Sequence, residues 1–143
     1  MKSHTASIEI RRTPDDVFGY LLDLSNEPHW RHDVDTSELA AGQPGASGAR
    51  YRQTSKGAAY TLEVTQVDAA RRTLRFATVD ATPVAVRGGY SVAGDGPAAT
   101  ATIEVQLHPS GVVKLFEPLM GPSLRKTTSR YLAQLRSELE CAS

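Results

Sequence analysis

From Val112 to Glu140 the chain changes character. Leu124, Thr128, Tyr131, Leu132, Leu135 and Leu139 recur at steps of three, four and seven, which sets them on one helical stripe. Arg125, Lys126, Arg130, Arg136 and Glu138 are left for solvent. At 1.5 Å per residue, a helix from Ser123 to Glu140 would be about 27 Å long. A one-sided helix of that length must bury its stripe. The only partner large enough is a sheet built from the residues that precede it. Gly121-Pro122 interrupts the pattern, so the helix is expected to begin near Ser123 or to kink there, with Val113 to Met120 as a short, partly irregular lead-in.

The preceding residues do read as strands. Ala6 to Arg11 alternates, with Ala6, Ile8 and Ile10 on one face. Thr13 is then a good N-cap, Pro14 suits the first helical position, and Asp15 and Asp16 favour the positive end of the helix dipole. Val17, Phe18, Leu21 and Leu22 share a face of that helix. Ser25-Asn26-Glu27-Pro28 opens a second short turn that delivers His29, Trp30, Arg31 and His32.

Strands are predicted at 34–39, 49–54, 60–67, 73–79, 84–92 and 99–107, separated by turn signals such as Lys56-Gly57 and Gly94-Asp95-Gly96-Pro97. Tyr60, Leu62 and Val64 share one face, Leu74 and Phe76 another, and Val84, Val86, Tyr90 and Val92 a third. The pattern is strand, two short helices, six antiparallel strands and a long helix, an α+β domain with one wet sheet face.

The totals narrow the function classes. The chain has 143 residues, 40% apolar and 22% charged, the composition of one folded domain over 1–143. Sixteen basic residues balance sixteen acidic ones, so no electrostatic footprint for nucleic acid exists. No apolar run approaches the ~18 residues of a spanning helix, and no signal peptide opens the chain, so a cytoplasmic protein without integral membrane association is expected. Cys141 is the one cysteine and has no internal partner. No nucleophile elbow, phosphate loop or dinucleotide fingerprint is present, and no cofactor is expected.

Ile8-Glu9-Ile10 leading into Thr13-Pro14-Asp15-Asp16-Val17-Phe18, then Asn26-Glu27-Pro28-His29-Trp30, resembles the START-like (SRPBCC) superfamily. More narrowly, the chain resembles the polyketide cyclase/dehydrase and lipid-transport family, and Tyr131 to Glu140 is similar to the way chains of that family end. The resemblance spans nearly the whole chain. It implies a helix-grip fold: a curved antiparallel sheet wrapped around the long C-terminal helix, with a ligand cavity between them. Members bind lipids, polyketides or other apolar molecules there, and some are cyclases or dehydratases.

On that footing the ligand would be a small hydrophobic molecule, held by a monomer or homodimer. Its contacts would come from Trp30, Tyr51, Tyr60, Leu62, Phe76 and Tyr90 on one side and Leu115, Phe116, Leu119, Met120 and Leu124 on the other. The small residues Gly88, Ala99 and Ala101 would leave room unless neighbours fill it. Residues 113–120 would line the cavity mouth, as a gate or as a fixed turn.

His29, His32 and Asp33 raise a metal reading, but zinc needs three or four converging ligands and no further cluster supplies them, so no metal is expected. His32 could serve as an acid or base, or the group around Trp30 could be only a polar surface corner with Trp30 partly buried. Cyclisation by aldol condensation would need a base and a donor to the developing enolate, and His32, Tyr60 and Tyr90 are the acid–base candidates. Aromatic-ring cyclases of the family carry an inward arginine on the middle strands. Here Arg87 falls on the face opposite Tyr90 unless a bulge at Gly88-Gly89 re-aims it. Whether the protein is an enzyme stays open at this point.

Overall fold

The computed structural model describes residues 2–79, 84–109 and 117–141, with the side chains of 2, 84, 109 and 117–123 outside that description. In chain order the elements are β1 (Lys2–Ile10), α1 (Pro14–Leu22), a 3₁₀ turn (Leu24–Asn26), α2 (Glu27–Trp30), β2 (Thr36–Ala41), β3 (Arg50–Ser55), β4 (Ala58–Asp68), β5 (Thr73–Thr78), β6 (Val84–Ala93), β7 (Ala99–Pro109) and α3 (Glu117–Cys141).

The seven strands form one antiparallel sheet in the order β1-β7-β6-β5-β4-β3-β2. Five of the six neighbouring pairs therefore join strands consecutive in sequence. The remaining pair, β1 with β7, brings the two ends of the strand region together, and α3 packs against that side. This is the helix-grip arrangement, with the sheet curved about the long C-terminal helix.

Local chemistry explains the boundaries. The Thr13 hydroxyl accepts the Asp16 amide at 3.2 Å, and Pro14 fills the first helical turn, so α1 starts where the capping pattern places it. Lys56 and Gly57 both have positive φ, 52° and 81°, as a two-residue hairpin between β3 and β4 requires. β2 begins at Thr36, two residues later than the alternation suggests, because the Val34 amide bonds the Arg31 carbonyl at 2.9 Å and closes a turn first.

Two expectations are corrected. α3 begins at Glu117, six residues before Ser123, so residues 117–120 of the expected irregular lead-in are helical. Of the two alternatives, it is the start near Ser123 that falls, since the helix runs through Gly121 and Pro122. A proline costs a helix one internal hydrogen bond and a clash, and here the turns on either side remain helical. Second, Gly88 and Gly89 form no bulge: both lie in unbroken register, opposite Val105 and Glu104 on β7 and opposite Phe76 and Arg75 on β5. Their reason is close approach. A Cβ on Gly88 would lie 2.3 Å from the Glu104 carbonyl oxygen, and one on Gly89 would lie 2.5 Å from that of Leu74. Nor does Gly88 leave room on the inner face, where the Phe76 ring would stand 3.2 Å from that same Cβ. Arg87 is exposed, as strict alternation demands.

The core lies between the inner sheet face and the helices. Leu124, Thr128, Tyr131, Leu132, Leu135 and Leu139 are all buried, so the predicted stripe is the packed one. Thr128 satisfies its hydroxyl on the Leu124 carbonyl at 2.7 Å. Among the described residues no helix is long and apolar enough to cross a membrane.

Candidate functional site

The one-turn helix α2 is fixed from its N-terminal side. Asp23 accepts from the Ser25 amide at 3.1 Å, the Ser25 hydroxyl at 2.8 Å and the Tyr51 hydroxyl at 3.2 Å. Asn26 donates its side-chain amide to the Tyr20 carbonyl at 3.0 Å. These bonds aim the Glu27 side chain into the protein, where it is 1% exposed. An isolated carboxylate there would be far too costly, and the surrounding residues supply the donors.

Arg31, one helical turn on, places Nη1 2.9 Å from Glu27 Oε1. Gln53 on β3 donates Nε2 to the same oxygen at 2.8 Å and to the Ser37 hydroxyl at 3.0 Å. Tyr90 on β6 donates its hydroxyl to Glu27 Oε2 through a short hydrogen bond. One carboxylate thus ties α2 to both the β3 and β6 regions of the sheet.

Aromatic rings wall this cluster. Trp30 is 1% exposed and meets Tyr90 edge-on at 5.3 Å and Tyr131 at 6.2 Å, while Phe76 lies 5.2 Å from Tyr90. The Arg31 guanidinium stands 5.0 Å above the Tyr131 ring, in the range of a cation–π contact. Tyr131 in turn donates its hydroxyl to Asp33 at 2.5 Å.

The electrostatics follow from burial. Desolvation pushes the Tyr90 phenol well above its ordinary value, and the Glu27 charge adds to the shift against the opposing pull of Arg31. Burial likewise raises Tyr60 and Tyr131, again partly opposed by Arg31. For Arg31 burial works against the charge, yet Glu27 and the neighbouring phenols outweigh it and the proton is held more tightly than in water. At neutral pH these tyrosines are donors, not bases.

A model of the family described as polyketide cyclase / dehydrase and lipid transport matches residues 1–140. The chain belongs to that family. No curated protein matches it in sequence. Among solved structures, the di-domain ARO/CYC BexL from the BE-7585A biosynthetic pathway is similar over 98% of this chain and 47% of its own length, at 17% identity and a TM-score of 0.79. The present chain thus spans about half of that protein. A protein from Thermus thermophilus matches over 99% of both chains, at 16% identity and a TM-score of 0.79. The Zhui aromatase/cyclase from Streptomyces sp. R1128 matches over 97% of this chain and 93% of its own, at 13% identity and a TM-score of 0.75. At these identities the likeness is one of fold.

Within this family member the residues singled out by sequence fall into three groups. Trp30, Tyr51, Leu62, Phe76, Tyr90 and Leu124 are buried in one core cluster, with Tyr60 packed half-buried against it. Trp30 is therefore no surface corner. Its indole is enclosed because α2 is pinned down on the sheet by Glu27. His32 is exposed, and its ring centroid lies 5.4 Å from that of Tyr131. Leu115 and Phe116 lie outside the described residues, as do the side chains of Leu119 and Met120 and residues 113–116 of the 113–120 stretch read as a gate or a fixed turn.

Tyr51 sits apart from the polar cluster, its hydroxyl on Asp23. Burial first, and then the Asp23 charge, push it up to about 12. Among the described residues no three His, Cys, Asp or Glu side chains gather as a metal site. The opposite face of the sheet carries an open groove beside Gly89, lined by Gln66, Arg75, Ser91, Thr102 and Glu104, with Arg75 3.5 Å from Glu104.

Sequence reasoning missed Glu27 and Gln53 altogether and left Arg31 on the surface. Glu27 and Arg31 are an i, i+4 acid–base pair, ordinarily the mark of a solvated helix face. The available signal was their setting: Leu24 and Trp30 bracket Glu27 at i−3 and i+3, which puts the carboxylate on the apolar side of the turn.

Proposed function

We propose that this protein binds a small or medium-sized hydrophobic molecule, lipid- or polyketide-like, between the inner sheet face and α3. The observation that carries the reading is the polar cluster set inside an aromatic wall. A site for an apolar ligand is mostly hydrophobic with a few placed polar groups, and Glu27, Arg31, Gln53 and Tyr90 among Trp30, Phe76 and Tyr131 have that composition. Membership of a family described by cyclase, dehydrase and lipid-transport activities supports it.

Cyclase or dehydratase chemistry in the same place is the second reading. One observation favours it: the half-buried Tyr60 hydroxyl has no hydrogen-bond partner among the described residues and lies in the field of Arg31. As a donor held protonated by burial, it could stabilise a developing enolate. A base is harder to find. Glu27 already accepts from Arg31, Gln53 and Tyr90, so its lone pairs are engaged, and binding ranks above catalysis.

The test is native mass spectrometry of freshly purified protein, followed by denaturing extraction. A co-purifying apolar molecule, lost when Phe76 is replaced by Asp in a variant that still folds, is the expected result. Protein that arrives empty and binds no hydrophobic dye would remove both readings.

A further inference from the structure

We propose that Gln53 selects the ligand, and that the ligand is a neutral hydroxylated molecule: an O–H or N–H group donates to the Gln53 carbonyl, and a nearby oxygen accepts from Arg31 Nε. The inference rests on the binding reading above and names the chemistry of its occupant.

Gln53 is 0% exposed. Its amide orientation is fixed, because the Glu27 carboxylate in the ion pair can only accept and Nε2 must face it. Nε2 gives its two hydrogens to Glu27 Oε1 and Ser37 Oγ, and Gln53 Oε1 is left buried with no partner among the described residues. Arg31 Nε is a second buried atom without a partner among the described residues, on a side chain 12% exposed. Buried polar atoms are nearly always paired. Here one acceptor and one donor are both unmet, and both belong to groups bonded to the same oxygen, Glu27 Oε1. Standard hydrogen-bond and functional-group lengths hold them within about 10 Å of each other.

Charge narrows the class further. The Arg31 cation is already matched by Glu27, and Asp33 and Asp35 add negative field nearby. An anionic headgroup such as a fatty carboxylate gains nothing there, whereas a neutral molecule with one donor and one acceptor meets both open atoms. A phenol or hydroxy-ketone on an apolar ring system has that character. The rings of Trp30, Phe76 and Tyr90 offer its body a wall of matching polarity.

The experiment titrates the full-length protein with three probes: 2-naphthol, 2-methoxynaphthalene and dodecanoate, read by fluorescence for the first two and by calorimetry for the third. Naphthol is expected to bind about tenfold more tightly than its methyl ether, the worth of one buried hydrogen bond. Dodecanoate should bind more weakly than naphthol. In Gln53→Met the naphthol-to-ether ratio should fall to about one, with the ether still bound. If that variant does not fold, the Gln53 side-chain amide resonances of the wild type report the same contact, and should move with naphthol and not with the ether. Equal affinity for naphthol and ether, or amide resonances indifferent to naphthol, overturns the proposal and leaves the binding reading standing. Failure of all three probes and of a hydrophobic dye removes the binding reading itself.

Discussion

Glu27 shows how one side chain can hold a fold while looking ordinary in sequence. It is buried, and each of its oxygens is met by donors from different elements. Truncating it in Glu27→Ala would leave Arg31 as an uncompensated buried charge, and we expect a loss of about 3–5 kcal/mol in urea denaturation. The double variant Glu27→Leu with Arg31→Met should be distinctly more stable than Glu27→Ala, since no charge is then stranded. If the double variant is as unstable as the single one, the pair is not the source of the cost.

Tyr51 gives a second prediction at this scale. Its folded value of about 12 lies above the unfolded value of 10.0. A raised value means that its contribution is fully present below pH 10 and is lost as the pH rises from 10 toward 12. The slope is about 1.4 kcal/mol per pH unit for one proton. Tyr51→Phe should therefore be less stable at pH 8, by about 1 kcal/mol for the lost bond to Asp23, yet lose stability less steeply between pH 10 and 12. Parallel denaturation curves in that window would count against it.

At the scale of the element, the sequence was legible wherever local chemistry decides the outcome. Thr13-Pro14 sets the start of α1, Lys56-Gly57 sets the β3–β4 hairpin, and the spacing of Leu124 to Leu139 sets the buried face of α3. It was not legible where a distant backbone decides. Gly88-Gly89 within a strand suggests a bulge or bend, yet it is glycine because carbonyls on β7 and β5 pass within 2.3 and 2.5 Å of the missing Cβ positions, and no local signal reports that. For Glu27 only the side of the turn was legible locally, from Leu24 and Trp30, because the Gln53 and Tyr90 side chains that meet it lie 26 and 63 residues away.

The glycines turn this distinction into an experiment. Gly88→Ala and Gly89→Ala should each cost about 1–3 kcal/mol, the usual range for overpacking, because the obstacle is backbone. Gly19, in the exposed middle of α1, has nothing within 4 Å of an added Cβ. Gly19→Ala should stabilise by about 0.5–1 kcal/mol through lower unfolded-chain entropy. Thermal denaturation of the three variants side by side checks the opposite signs, and a stabilising Gly88→Ala would refute the close-approach account.

For the molecule as a whole, the two ends of the chain are fastened to each other. Arg12 donates Nη1 to the Leu139 carbonyl at 2.7 Å, satisfying one of the open carbonyls at the C-terminal end of α3. The Arg11 amide donates to Glu140 Oε2 at 2.9 Å, and the Arg11 guanidinium lies 3.5 Å from Oε1. The grip of sheet on helix is thereby closed where β1 hands over to α1. The backbone bond from Arg11, with further help from the Arg11 side chain and the Arg136 charge, outweighs the opposing effect of burial and holds Glu140 below the ordinary carboxylate range. A lowered value means that the clasp is intact above the unfolded value near 4.5 and opens as the pH falls through the folded one. Amide exchange in the last turn of α3, corrected for intrinsic rates, should therefore quicken at pH 3 relative to pH 7 while the 124–135 stretch stays protected. Glu140→Gln should show the faster exchange already at pH 7 and little further change on acidification. If wild type and variant exchange alike at both pH values, the helix end is held by the packing of Leu135 and Leu139 alone, and the clasp contributes nothing to the grip.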